Sequence, residues 1–94
     1  MYYNKKGKQI SKFECAKLFE DIEYQIIAQE TVSGNRISTV WLGLNHNLEE
    51  GAPLIFETMI FGPNDKEQYQ KRYSTESDAK VGHAKIVKKY EHSL

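Results

Sequence analysis

Two dense apolar runs dominate the pattern of this chain, Arg36-Ile-Ser-Thr-Val-Trp-Leu-Gly-Leu44 and Pro53-Leu-Ile-Phe-Glu-Thr-Met-Ile-Phe61, joined by a short polar loop. Each places apolar side chains on both faces of any sheet it forms, unlike a strand with one wet face. Such strands need cover on both sides, and the chain has few helical stretches to supply it. The second face is therefore expected to meet a partner.

Weaker patterns flank these runs. Tyr2-Tyr3, Asn4-Lys5-Lys6-Gly7 and Gln9-Ile10 read as a small turn, with Gly7 free to take a positive φ. Ser11 and Glu14 form a capping-box signature, and Ile10 with Cys15 occupy the positions of a hydrophobic staple. A short helix over 12–19 follows, with Phe13, Ala16 and either Leu18 or Phe19 expected on its inner side. Glu20-Asp21 end it. Residues 23–32 then read as the first long strand.

Ser33-Gly34-Asn35-Arg36 is a hairpin signal. With Gly34-Asn35 as the loop, Val32 faces Ile37, Gln29 faces Val40 and Ala28 faces Trp41. One face then carries Tyr24, Ile26, Ala28, Val32, Ile37 and Trp41 and is expected beneath the helices. Ile27, Val40, Leu42 and Leu44 fall on the other, as a candidate interface.

Asn45 to Ala52 is a polar loop, Pro53 an allowed strand opener, and Gly62-Pro63-Asn64-Asp65 a strong break. Tyrosines and charges alternate over 67–73, which suits an exposed edge strand. Thr75 caps a final helix whose first turn carries Glu76 and Asp78. Helical spacing groups Ala79, His83, Ile86, Val87 and Tyr90. Gly82 interrupts that helix, and close approach of another backbone would explain it. The expected architecture is a single α+β domain over 1–94. In it a four-stranded antiparallel meander carries the N-terminal short helix and the C-terminal helix on one face.

Composition narrows the function classes. The 94 residues suffice for one core but not for a deep interdomain cleft. Thirteen basic residues balance thirteen acidic ones, so the positive field of a nucleic-acid binder is missing. Acids interleave with the lysines of the last helix, which reads as a solvated face. A single cysteine precludes an internal disulfide and a multi-cysteine metal cluster. The first residues lack the apolar segment of a signal peptide, and no run reaches the roughly 18 apolar residues of a membrane span. The expectation is a soluble cytoplasmic protein with no cofactor, no metal and no membrane or nucleic-acid partner.

Candidate chemistry is sparse. His46 sits in a loop where functional residues occur, but with no ligand at recognised spacing it reads as a solvated histidine. His83, on the apolar helix side, reads as a buried, hydrogen-bonded core residue. Glu57 lies among Ile55, Met59 and Phe61 on its strand face. That placement suits acid–base work, pairing with Arg36 or Arg72, or protection against edge pairing. Arg72 with Ser74 and Thr75 at a helix start is the preferred site for a small phosphorylated ligand, although the two hydroxyls also serve as caps. No catalytic residue is assigned.

The stretches Ser38-Thr-Val-Trp-Leu-Gly-Leu-Asn-His46, Pro53-Leu-Ile-Phe-Glu-Thr-Met-Ile-Phe61 and Arg72-Tyr-Ser-Thr-Glu76, with Gly82-His83, resemble an uncharacterised family of small proteins encoded by tailed bacteriophages and prophages. The capped first helix ending in Ala16-Lys-Leu-Phe-Glu-Asp21 is similar as well. The resemblance implies a phage origin and a host-cytoplasm setting, with no activity to carry over. Stoichiometric binding to a host or defence protein or a signalling nucleotide is the expectation, with the protein as a homodimer. A virion component and a small hydrolase are the alternatives.

Overall fold

The computed structural model of the protein describes residues 1–92. Their elements run β1 (Tyr2–Tyr3), β2 (Gln9–Ile10), α1 (Lys12–Phe19), α2 (Ile22–Gln25), β3 (Ile26–Val32), β4 (Asn35–Trp41), β5 (Phe56–Phe61), β6 (Glu67–Tyr73) and α3 (Glu76–Glu91). The fold is α+β. Strands β3 to β6 form an antiparallel meander in chain order, β1 and β2 a separate small hairpin. Helix α3 packs along one face of the large sheet, and α1 covers the Trp41 end of that same face.

The helix starts follow their caps. Ser11 and Glu14 make both bonds of the capping box, and Thr75 Oγ1 accepts the Asp78 amide at 3.0 Å. The inner side of α1 differs from expectation: Cys15 is buried and Leu18 half-buried, while Phe13 stands exposed. Residues 22–25 form a helical turn, so 23–25 are not the strand expected, because the Asp21 carboxylate caps the amides of Glu23 and Tyr24.

At the β3–β4 hairpin the loop is Ser33-Gly34, one residue earlier than the Gly34-Asn35 expected. Both centres hold positive φ, 51° and 80°, as a type I′ turn requires. Ala28 therefore faces Thr39 instead of Trp41, and Thr31 faces Arg36. Each residue's partner moves by two positions, a shift that by itself leaves side chains on their expected faces. A bulge between Ile26 and Ala28 changes faces locally. Ile26 pairs with Val40 on the open face, whereas Ile27 packs against the core. Both assignments reverse the expected ones.

On the covered face the cross-strand rows are Ala28–Thr39–Thr58–Lys71 and Glu30–Ile37–Ile60–Tyr69, followed by Trp41–Phe56–Tyr73. Trp41 is held on three sides. Its indole donates to the Tyr3 carbonyl at 2.9 Å, Phe19 lies over it at 4.8 Å, and Tyr24 meets it edge-on at 5.0 Å. Gly43 lets this packing close, since a Cβ there would lie 2.9 Å from Cys15 Sγ. The second dense run is strand only from Phe56; residues 53–55 approach as irregular backbone, with Ile55 fully buried.

Candidate functional site

The face of the sheet turned away from α3 carries the rows Ile26–Val40–Glu57–Arg72, Gln29–Ser38–Met59–Gln70 and Thr31–Arg36–Phe61–Glu67. Here the second set of apolar side chains emerges, and no helix lies over it. Long polar side chains shield it instead. Arg36 stacks on the Phe61 ring at 4.4 Å and reaches Asp65 at 3.9 Å. Arg72 Nε binds Glu57 Oε2 at 2.9 Å, and Gln70 donates to the same oxygen. Glu57 is thus only 6% exposed, enclosed by its strand neighbours rather than by a second layer. Of the partners open to it, Arg72 is the one it takes. Ile26 remains 36% exposed, with Val40, Met59 and Phe61 half-buried beside it. Arginine, methionine and phenylalanine in one patch are the residue types enriched where proteins meet.

Beneath α3 lies a polar line that the sequence pattern did not single out as a unit. His83 Nδ1 is 2.7 Å from Thr39 Oγ1, which is 2.5 Å from Thr58 Oγ1. On the other side of the ring, Nε2 meets Glu30 Oε1 at 2.9 Å. For a neutral imidazole one ordering satisfies every group: Thr58 donates to Thr39, Thr39 to Nδ1, and Nε2–H to the carboxylate. Carboxylate, imidazole and hydroxyl in line resemble a nucleophile-activating arrangement. Both threonines are fully buried, however, so no substrate reaches their oxygens. His83 is the buried, hydrogen-bonded histidine expected. Glu30 and the two threonines gave no warning beyond alternation, which puts all three on the covered face.

The other anticipated residues do not converge. The Arg72 guanidinium turns to the open face, while Ser74 and Thr75 stand at the start of α3, where Thr75 Oγ1 is occupied as a cap. His46 is half-buried in the loop after β4, its amide bonded to the Leu54 carbonyl. Leu42 is half-buried just past β4. Leu44 is 40% exposed and bridges to Tyr2 beyond the left-handed Gly43. Of the four interface candidates only Val40 lies in a paired row of the open face. Burial pushes the Cys15 thiol up, as suits an inert core cysteine. Among the described residues no group of three or more His, Cys, Asp or Glu is placed to hold a metal ion, and no helix is long and apolar enough to cross a membrane.

These features define a small α+β protein with one helix-covered sheet face and one open, arginine-rimmed face. No protein-family model, curated protein or solved structure matches the chain.

Proposed function

We propose that this is a non-enzymatic, phage-encoded accessory protein that acts by stoichiometric binding, and that it docks a protein partner on the open face of its sheet. The supporting observation is that face itself: Ile26, Val40, Met59 and Phe61 lie uncovered by any helix, beneath Arg36 and Arg72. An antiparallel sheet can leave one face to water, but that face is then ordinarily polar, whereas a binding surface needs an apolar centre and a polar rim. The paired Glu57 and Arg72 add a directional polar contact at its edge. Glu57, the residue open to acid–base work in the hydrolase alternative, is held by Arg72 and Gln70, which suits a binding surface better.

The test is native mass spectrometry of the untagged protein, alone and after incubation with host lysate. The reading expects a discrete heterocomplex that is lost in Met59→Glu, with melting of that variant showing a retained fold. A complex that survives Met59→Glu places the partner elsewhere. Recovery of the protein in purified particles, with no heterocomplex, returns the virion reading.

A further inference from the structure

The loop between β4 and β5 holds Leu48 almost wholly in water, at 99% exposure. A single exposed leucine is ordinary. This one, however, stands on a loop that is tied from within. Asn45 Oδ1 accepts the amides of Asn47 at 2.8 Å and Leu54 at 2.9 Å. Asn47 in turn accepts the Glu49 amide and donates to the Ala52 carbonyl, both at 3.0 Å. These bonds hold the backbone on either side of Leu48, so little ordering remains to be done when the side chain is bound. Glu49 and Glu50 follow it, both exposed and in none of the ion pairs among the described residues.

The helix-covered side of the molecule has a cavity that matches this knob. It lies at the far end of β5, with the buried Ile60 beneath, Tyr69, Ile86 and Tyr90 around it, and Lys85 and Lys89 beside them. Its volume is about 200 Å³. An apolar cavity of about 150 Å³ takes up benzene, a larger group than the side chain of leucine. The knob is apolar with two acids next to it, and the socket is apolar with two lysines next to it. Such pairing of opposite charge around an apolar contact selects partner and orientation.

The socket is beyond reach of the chain's own knob. The loop enters β5 at Phe56, and Ile60 stands four residues further on, about 13 Å along the strand. The occupant must then come from a second copy. Between the foot of the loop and the socket a groove of about 380 Å³ runs along α3, from Leu54 to Lys85, which lines both. It passes Gly82, where the Tyr73 ring, and not the other backbone anticipated, makes the close approach. Knob and socket thus stand at two ends of one side of the molecule. Two copies set antiparallel along that side exchange knobs reciprocally, and the exchange closes the assembly at two.

We propose that this chain forms a two-fold dimer in which Leu48 of each copy fills the cavity between Tyr69, Ile86 and Tyr90 of the other, with Glu49 and Glu50 beside Lys85. The interface is independent of the open face, which stays available to the partner inferred above.

Sedimentation velocity of the full chain over a concentration series is the test. A reversible equilibrium of monomer and dimer is expected. Leu48→Ser should weaken it about a hundredfold, since each dimer loses two buried leucines. That side chain meets only water in the monomer, so the variant should melt as the parent does. Lys85→Glu should weaken the dimer about tenfold, and adding Glu49→Lys and Glu50→Lys should restore most of the loss. Met59→Glu, on the open face, should leave the equilibrium unchanged. A monomer at every concentration, a dimer unmoved by Leu48→Ser, or no recovery in the charge-reversed triple variant overturns the proposal. So does association that grows beyond two copies, or a dimer lost in Met59→Glu and kept in Leu48→Ser, which would lie on the open face.

Discussion

The imidazole of His83 reaches 44 residues back along the chain to place Nδ1 2.7 Å from Thr39 Oγ1, at the centre of the sheet. This bond, with Thr58 behind it and Glu30 on the opposite nitrogen, fixes how α3 lies across β3, β4 and β5. An apolar core tolerates small slides of a helix, but a buried polar line does not, since each misplacement leaves a group unsatisfied.

His83→Leu should therefore cost about 2–3 kcal/mol, the loss of two bonds together with stranded partners. Thr39→Val should cost about 1–3 kcal/mol for the same reason. Because the two share one bond, the double variant should cost less than the sum, by about 0.5–3 kcal/mol. Urea unfolding of the four proteins measures this, and strict additivity would show that the bond is energetically idle.

Gly43 and Gly82 should be far less replaceable than Gly7. At Gly43 a side chain would strain a φ of 76° and press on Cys15 and Phe19. At Gly82 it would overlap the Tyr73 ring. Each alanine variant is expected to lose about 2 kcal/mol or more through overpacking. Gly7, with a φ of 80° but open space around it, should lose only about 1 kcal/mol. Thermal melts rank the three. Equal losses at Gly43 and Gly7 would show that backbone conformation rather than packing decides Gly43, and no loss at Gly82, which has no positive φ, would show that the Tyr73 ring gives way.

Glu57 should act as the polar guard of the open face. Glu57→Leu would extend the apolar strip between Val40 and Met59 while sparing the fold, because Arg72, 35% exposed, can turn its guanidinium to water once the carboxylate is gone. The expected result is stronger self-association in sedimentation velocity. Glu57→Ala, which leaves Arg72 partly able to reach water, should cost only about 1 kcal/mol. Unchanged association in Glu57→Leu would remove the guarding role.

The Cys15 thiol should react slowly with a disulfide reagent at neutral pH and quickly once the protein is unfolded, since it is 2% exposed and burial raises its pKa. The unfolded chain releases the thiol proton first, so stability is whole below the ordinary thiol range and falls as pH climbs through it. Comparison with Cys15→Ala isolates this slope, and parallel stability–pH curves for the two would show that Cys15 contributes none of it.

Local chemistry made much of the fold legible. Ser11 with Glu14 and Thr75 with Asp78 locate their helices because caps act within one turn. The two dense runs announced a sheet with two apolar faces, and the spacing of Ala79, His83 and Val87 marked the buried side of the last helix. Less legible were features in which competing local options are close in energy. Ser33-Gly34 took the turn from Gly34-Asn35, Asp21 drew 22–25 into a helical turn, and a single bulge exchanged Ile26 with Ile27.

What the sequence alone determined was the class of fold, the order of the four long strands and the first and last helices, and the division of most strand residues between two faces, because period and capping depend on near neighbours. Tertiary structure decided which polar groups meet. The line from Glu30 through His83 to Thr58, the turning of Arg72 to Glu57, and the seating of Tyr73 against Gly82 all join residues that only packing brings within reach. Hydrogen bonds act over about 3 Å, and nothing in the order of residues along a chain sets such a distance between separate elements.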